Sequence, residues 1–167
     1  KRLLPAHSIL VDENGVQVKR YWDIQFGHNE TENSRMNDNV CADRFRELFE
    51  DSVRLQLTSE VPIGTCLSGG LDSSSIVYMI NQLLMLNTEV TKVIGERQKT
   101  FSACFEDKQI DERKYAEEVI AQTRTEAGFV SPSSEQLWED IEKLVYFQEE
   151  PFMSSSVYAQ CCVMELA

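Results

Sequence analysis

Leu67-Ser68-Gly69-Gly70-Leu71-Asp72-Ser73-Ser74-Ser75 is the stretch from which the rest of the chain is read. Val61-Pro62-Ile63-Gly64-Thr65-Cys66-Leu67 before it has the composition of a short buried strand, and Ile76 to Leu86 after it that of an apolar helix. Strand, glycine turn and helix together make an anion cradle, because a helix N-terminus presents unpaired N–H groups and the positive end of its dipole. Gly69 and Gly70 are expected to supply positive φ and a close backbone approach, and Ser68, Ser73 and Ser74 hydroxyl donors. Asp72 would repel a bare phosphate, and a bridging Mg²⁺ resolves that conflict.

The lysine of a Walker loop, Gly-x-x-x-x-Gly-Lys-Ser/Thr, has no counterpart here. The stretch instead resembles the pyrophosphate loop, Ser-Gly-Gly-x-Asp-Ser, of the ATP pyrophosphatases, which cleave ATP between its α and β phosphates. Every fixed position of that loop is matched.

Around this centre, 167 residues with 42% apolar content fit one domain with a core and an appendage. A net charge of −12 argues against a nucleic-acid partner, since few counterions would be released on binding. No apolar run nears the roughly 20 residues of a membrane span, so no membrane partner and a cytoplasmic location are expected. The five cysteines form no Cys-x-x-Cys pair, and Cys66 and Cys104 are expected as reduced, buried thiols. His7 and His28 lie outside every motif.

Outward from the loop, the chain alternates strand and helix. Residues 8 to 22 read as a β-hairpin about an Asn14-Gly15 type I′ pair. A polar linker covers 27–39, and a helix from about Val40 to Thr58 is capped by Asp38 or Asn39. After the helix Ser73 to Leu86, expected to be packed inside, a variable connection runs from Asn87 to Lys99. Thr100 to Phe105 forms the second strand, Asp111 to Thr123 a helix with an acidic first turn, and Gly128 to Ser131 the third strand. Ser133 and Gln136 open, as a capping box, a helix to about Gln148 with Trp138 in the core; Glu149-Glu150-Pro151 ends it, and a last helix carries Val157, Tyr158, Cys161 and Cys162. The expected fold is α/β, a parallel sheet flanked by helices and preceded by a β-hairpin, with only three core strands and exposed edges.

Read together, Arg20-Tyr21-Trp22-Asp23, Val61-Pro62-Ile63-Gly64 through Ser74, Asp111-Glu112 with Tyr115-Ala116, and Glu150-Pro151 with the serines after it, Ser154 to Ser156, resemble the synthetase domain of glutamine-dependent asparagine synthetases. The loop alone would also suit GMP, NAD or argininosuccinate synthetases; the Tyr-Trp and Val-Pro-Ile-Gly segments favour the asparagine branch.

The resemblance implies an adenine nucleotide alpha-hydrolase-like fold, incomplete here. Residues 1–26 would be the tail of a glutaminase domain, and 40–167 the first part of the synthetase domain. It implies MgATP-dependent adenylation of the aspartate side chain, release of AMP and pyrophosphate, and amination by glutamine-derived ammonia. Carried over by position, Ser68, Gly69, Gly70, Asp72, Ser73 and Ser74 would surround the pyrophosphate of ATP, with Asp72 a Mg²⁺ ligand and Leu67 and Ala103 meeting the adenosine. Glu149 and Glu150 would either orient substrate or stand as a solvated helix end. The family's second Mg²⁺ loop and its lysine would follow Ala167, so no catalytic residue is assigned and the chain alone is expected not to turn over. The rival readings are an amide former for another carboxylate, of the β-lactam synthetase or peptide-cyclising kind, and a non-catalytic nucleotide-binding domain. Exposed sheet edges make a homo-oligomer conceivable.

Overall fold

The computed structural model describes residues 2–24, 37–86 and 93–167. Most of the expected linker at 27–39, His28, and the first part of the variable connection from Asn87 lie outside the described residues. The chain divides into two compact units, 1–44 and 45–167.

In the first unit, β1 (His7–Asp12) pairs antiparallel with β2 (Gly15–Arg20), in a register running from His7 opposite Arg20 to Asp12 opposite Gly15. The turn is not the expected type I′, which needs positive φ at both central residues. Among Asp12 to Gly15 only Gly15 takes it (+119°), and the Asp12 carboxylate instead accepts the Asn14 N–H at 2.8 Å in an Asx turn.

Helix α1 (Asp38–Gln56) opens one residue earlier than the expected caps allow, because the Asn37 side chain accepts the Asn39 N–H at 3.0 Å and so takes the capping role itself.

The second unit holds a three-stranded parallel sheet in the order β3-β4-β5, formed by β3 (Gly64–Cys66), β4 (Lys99–Ala103) and β5 (Glu126–Val130). Strand β3 is shorter than expected, for a local reason. Ser59 closes a turn on Val61, its hydroxyl contacting both the N–H and the carbonyl, and Pro62 has no N–H to give a ladder. Strand β5 begins earlier than Gly128, since the Glu126 N–H already donates to the Gln98 carbonyl.

Between the strands run α2 (Leu71–Leu86) and α3 (Arg113–Thr123), followed by α4 (Ser134–Gln148) and α5 (Ser156–Leu166). One core cluster joins α1 to α2 through Val53, Leu57, Ile80, Leu83 and Ile94; a second joins Leu67, Val77 and Ala116. Burying each Val, Ile or Leu contributes roughly 1.5–3 kcal/mol. Among the polar groups inside, Asn81 Nδ2 donates to the Thr123 carbonyl at 2.9 Å, satisfying the end of α3, whereas Gln98 Oε1 and the Ser74 hydroxyl are buried without a partner. Helix α5 packs on β4 and β5. There the Phe101 ring lies against Gly64 and Gly128, its register partner on β5.

Three expectations about burial are corrected. Helix α2 is not enclosed: Val77, Ile80, Asn81 and Leu83 are buried and Met79 and Leu84 half-buried, but Leu71, Tyr78, Met85 and Leu86 are exposed. Trp138 is 71% exposed, because among the residues of α4 only Leu144 is fully buried. Cys66 is exposed where Cys104 is buried, since Cys66 lies on the open end of an outer strand.

The helix starts follow the chemistry more closely. The Ser133 hydroxyl accepts the Gln136 N–H at 3.2 Å, and Glu149 ends α4 in the left-handed conformation (φ +57°) with its N–H on the Val145 carbonyl. Asp111 acts just ahead of α3, rather than inside its first turn, accepting the Phe105 and Arg113 N–H groups at 3.2 and 3.4 Å. No helix among the described residues is long and apolar enough to cross a membrane.

Candidate functional site

Leu67 is where strand becomes loop, and both of its peptide groups are fixed by β4. Its N–H donates to the Phe101 carbonyl at 2.9 Å, and its carbonyl accepts the Ser102 hydroxyl at 2.6 Å. The side chain is 1% exposed, packed with Val77 and Ala116. The loop therefore leaves the sheet from a fixed point.

From there the chain turns through Gly69 (φ +92°) into α2. Gly69 needs to be glycine twice over: the backbone angle disfavours a β-carbon, and a β-carbon would stand 2.7 Å from the Glu112 carbonyl and 3.0 Å from the Ala116 nitrogen. Gly70 differs from expectation. Its φ is not positive, and a β-carbon there would meet only the Ser68 hydroxyl at 3.3 Å. The close approach made by Gly69 is to the start of α3.

Two serines close the loop on itself. The Ser68 N–H donates to Ser73 Oγ at 3.2 Å, and the Gly70 N–H donates to Ser68 Oγ at 3.2 Å. Ser73 Oγ donates to the Gly70 carbonyl at 3.2 Å, which leaves Ser68 as the donor in the 3.0 Å contact between the two hydroxyls. The first turn of α2 still offers the N–H groups of Leu71, Asp72 and Ser73, which have no carbonyl a turn behind them. Ser74 N–H is spent on the Gly70 carbonyl at 3.0 Å, while its hydroxyl is buried without a partner. Asp72 is exposed in that first turn.

Beside the loop, at the carboxyl ends of β3 and β4, lies a cleft of about 270 Å³. Its apolar walls include Leu67, Phe101, Ala103 and Val163; Ser68, Glu112, Ser156 and Gln160 supply polar groups. Open parallel sheets hold their ligands at this end of the strands. Of the residues singled out from the sequence, Leu67, Ser68 and Ala103 meet in this cleft, and Gly69 to Ser74 continue from its edge into α2. Glu149 and Glu150 do not join them: they line a separate depression with Val145, Tyr146, Phe147 and Pro151.

Burial pushes the Cys66 thiol at the cleft wall up from its ordinary pKa, favouring the protonated form. Among the described residues no group of three or more His, Cys, Asp or Glu side chains is placed to hold a metal unaided. A cation here would need ligand oxygens from a bound phosphate, the usual arrangement for Mg²⁺.

The sequence reading missed Phe101 and Ser102. For Ser102 a signal existed: Thr100 and Ser102 alternate with Phe101 and Ala103 in β4, so one side of that strand carries hydroxyls that need partners. For Phe101 the signal was a pair of strand glycines, Gly64 and Gly128, which leave room for a neighbouring ring.

The family model for asparagine synthase matches residues 44–167. Glutamine-hydrolysing asparagine synthetase 3 of Bacillus subtilis is 41% identical over 76 residues, covering 46% of this chain and 12% of that protein. Glutamine-hydrolysing asparagine synthetase 1 of the same organism is 29% identical over 152 residues, 90% of this chain and 22% of its own length. The amidase chyE of Penicillium rubens is 27% identical over 155 residues, 90% of this chain and 23% of its own. The chain thus spans less than a quarter of the length of each of these relatives. The matched segment contains the whole loop, both strands that end at the cleft and the helix that begins there, and on that footing the chain belongs to the asparagine synthase family.

Proposed function

We propose that this domain serves ATP-dependent adenylation of the aspartate side-chain carboxylate, with release of AMP and pyrophosphate, followed by amination with glutamine-derived ammonia. The observation that carries the reading is the junction of an apolar cleft with a helix N-terminus through a single fixed residue, Leu67. Leu67 and Ala103 take the adenosine side, where the walls are apolar. Ser68, Gly69, Gly70, Ser73 and Ser74 take the pyrophosphate side, where amide and hydroxyl donors collect. The loop is expected to exchange its internal Ser68–Ser73 contact for phosphate oxygens, as both hydroxyls keep their positions at the entrance of α2. The Ser74 side chain is the exception: it borders a separate depression with Tyr78, Val119 and Gln122, so its share in the site is its place in the first turn of α2.

Asp72 is the carboxylate of the loop, and it would hold Mg²⁺ together with phosphate oxygens. Bound there, Mg²⁺ would stabilise negative charge on the departing pyrophosphate.

The test is product identity in a polypeptide of family length that carries these residues. With MgATP, aspartate and ammonia, chromatography should show AMP and pyrophosphate only when aspartate is present. ADP would overturn the loop assignment. AMP made without any dependence on aspartate would keep the loop chemistry and point to another carboxylate.

A further inference from the structure

We propose that Ser102 is a positioning residue for nucleoside recognition, acting through the carbonyl of Leu67; this rests on the nucleotide reading of the cleft. Ser102 is 3% exposed, and its hydroxyl donates to the Leu67 carbonyl at 2.6 Å across 35 residues of sequence. It does not line the cleft, whereas Leu67 does. The neighbouring backbone bond, from the Leu67 N–H to the Phe101 carbonyl at 2.9 Å, already continues the ladder between the two strands. The hydroxyl bond is therefore additional to what the sheet requires.

Its effect is on orientation. A peptide carbonyl has two acceptor sites, and Ser102 occupies one from inside the protein. The plane of the Leu67–Ser68 peptide is thereby fixed, and the remaining acceptor site stays available to a ligand. An acceptor recognises only a donor. On a nucleotide the donors are the sugar hydroxyls and the exocyclic amine of the base, while the phosphates have none when fully ionised. Recognition through Leu67 should thus concern the nucleoside half of the ligand and leave the pyrophosphate half to the loop. The loop's own ring of bonds among Ser68, Gly70 and Ser73 does not involve Ser102.

The test compares Ser102→Ala and Ser102→Thr with the unchanged protein, measuring calorimetric binding of MgATP, AMP and magnesium pyrophosphate, with thermal unfolding alongside. Alanine removes the donor with little change of volume, and threonine keeps it. The expected result is about fivefold to twentyfold weaker binding of ATP and AMP by the alanine variant, pyrophosphate binding within twofold of the unchanged protein, and recovery of AMP affinity in the threonine variant. Equal weakening of all three ligands would make Ser102 a general support of the loop and overturn the proposal, as would unchanged AMP affinity. Should the unchanged protein bind neither ATP nor AMP, the nucleotide reading itself falls, and this proposal with it.

Discussion

Gly69 lies directly against the carbonyl of Glu112, so close that a β-carbon on Gly69 would stand 2.7 Å from that oxygen. This contact joins the loop to the entrance of α3 and brings Glu112 to the wall of the same cleft. Two helices therefore converge on one glycine.

Gly69→Ala is expected to destabilise the protein by roughly 2–4 kcal/mol. About 1–2 kcal/mol comes from placing an L-residue in left-handed geometry, and the remainder from the displaced α3 backbone, which is less forgiving than a side chain. Urea unfolding measures the loss. A change under about 0.5 kcal/mol would show that the contact with Glu112 relaxes freely.

Gly64→Ala is expected to cost about 1–3 kcal/mol, because the new methyl would sit 2.5 Å from the Phe101 ring, and Gly128 on the other side limits the ring's retreat. Phe101→Leu made together with it should recover part of that loss. A double-mutant cycle of chemical denaturation reads the coupling, and strict additivity of the two changes would rule out the packing described.

Asp72→Asn is expected to leave folding nearly intact, since the carboxylate is exposed and contributes only about 0.3–1 kcal/mol through the helix dipole. MgATP affinity should fall by more than about tenfold and AMP affinity by less than about twofold, because AMP has no pyrophosphate for the cation to bridge. Equal effects on both nucleotides would remove Asp72 from the metal role.

Cys66 lines the cleft with its thiol raised in pKa by burial. The sign follows: the protonated thiol is the favoured form in the folded state, so the associated stability is complete below the unfolded pKa and is lost as pH climbs through the folded one. Although both thiols are exposed, iodoacetamide at pH 8 should modify Cys66 more slowly than Cys41 because its thiolate is disfavoured, and MgATP should slow it further. Site-resolved mass spectrometry distinguishes the two thiols; a Cys66 rate indifferent to MgATP would argue against nucleotide beside it.

The element pattern was legible in the sequence because strands, helices and caps are local. Alternating strands and helices identified the parallel sheet, and Ser133 with Gln136 marked the start of α4. What one residue touches across the fold was not legible. Helical spacing put Trp138 on the apolar stripe of α4, yet spacing says nothing about how much of a stripe its neighbours cover, and Trp138 stays 71% exposed. The same limit applied to the glycines: two adjacent ones signal a tight turn, but which takes positive φ depends on α3 arriving at Gly69. Leu67 and Ala103 were placed together by the family resemblance, with which the rule that ligands lie at the carboxyl ends of parallel strands agrees. Ser102's bond to Leu67 needed the register itself.

The most direct test of the account is hydrogen–deuterium exchange of the 67–75 peptide with and without MgATP. Binding at the loop predicts slowed exchange over Gly69 to Ser74, with further slowing at Ala103 and its neighbours, and weaker slowing in Asp72→Asn. Protection confined to other parts of the chain, or none at saturating MgATP, would contradict the assignment of this loop as the pyrophosphate site.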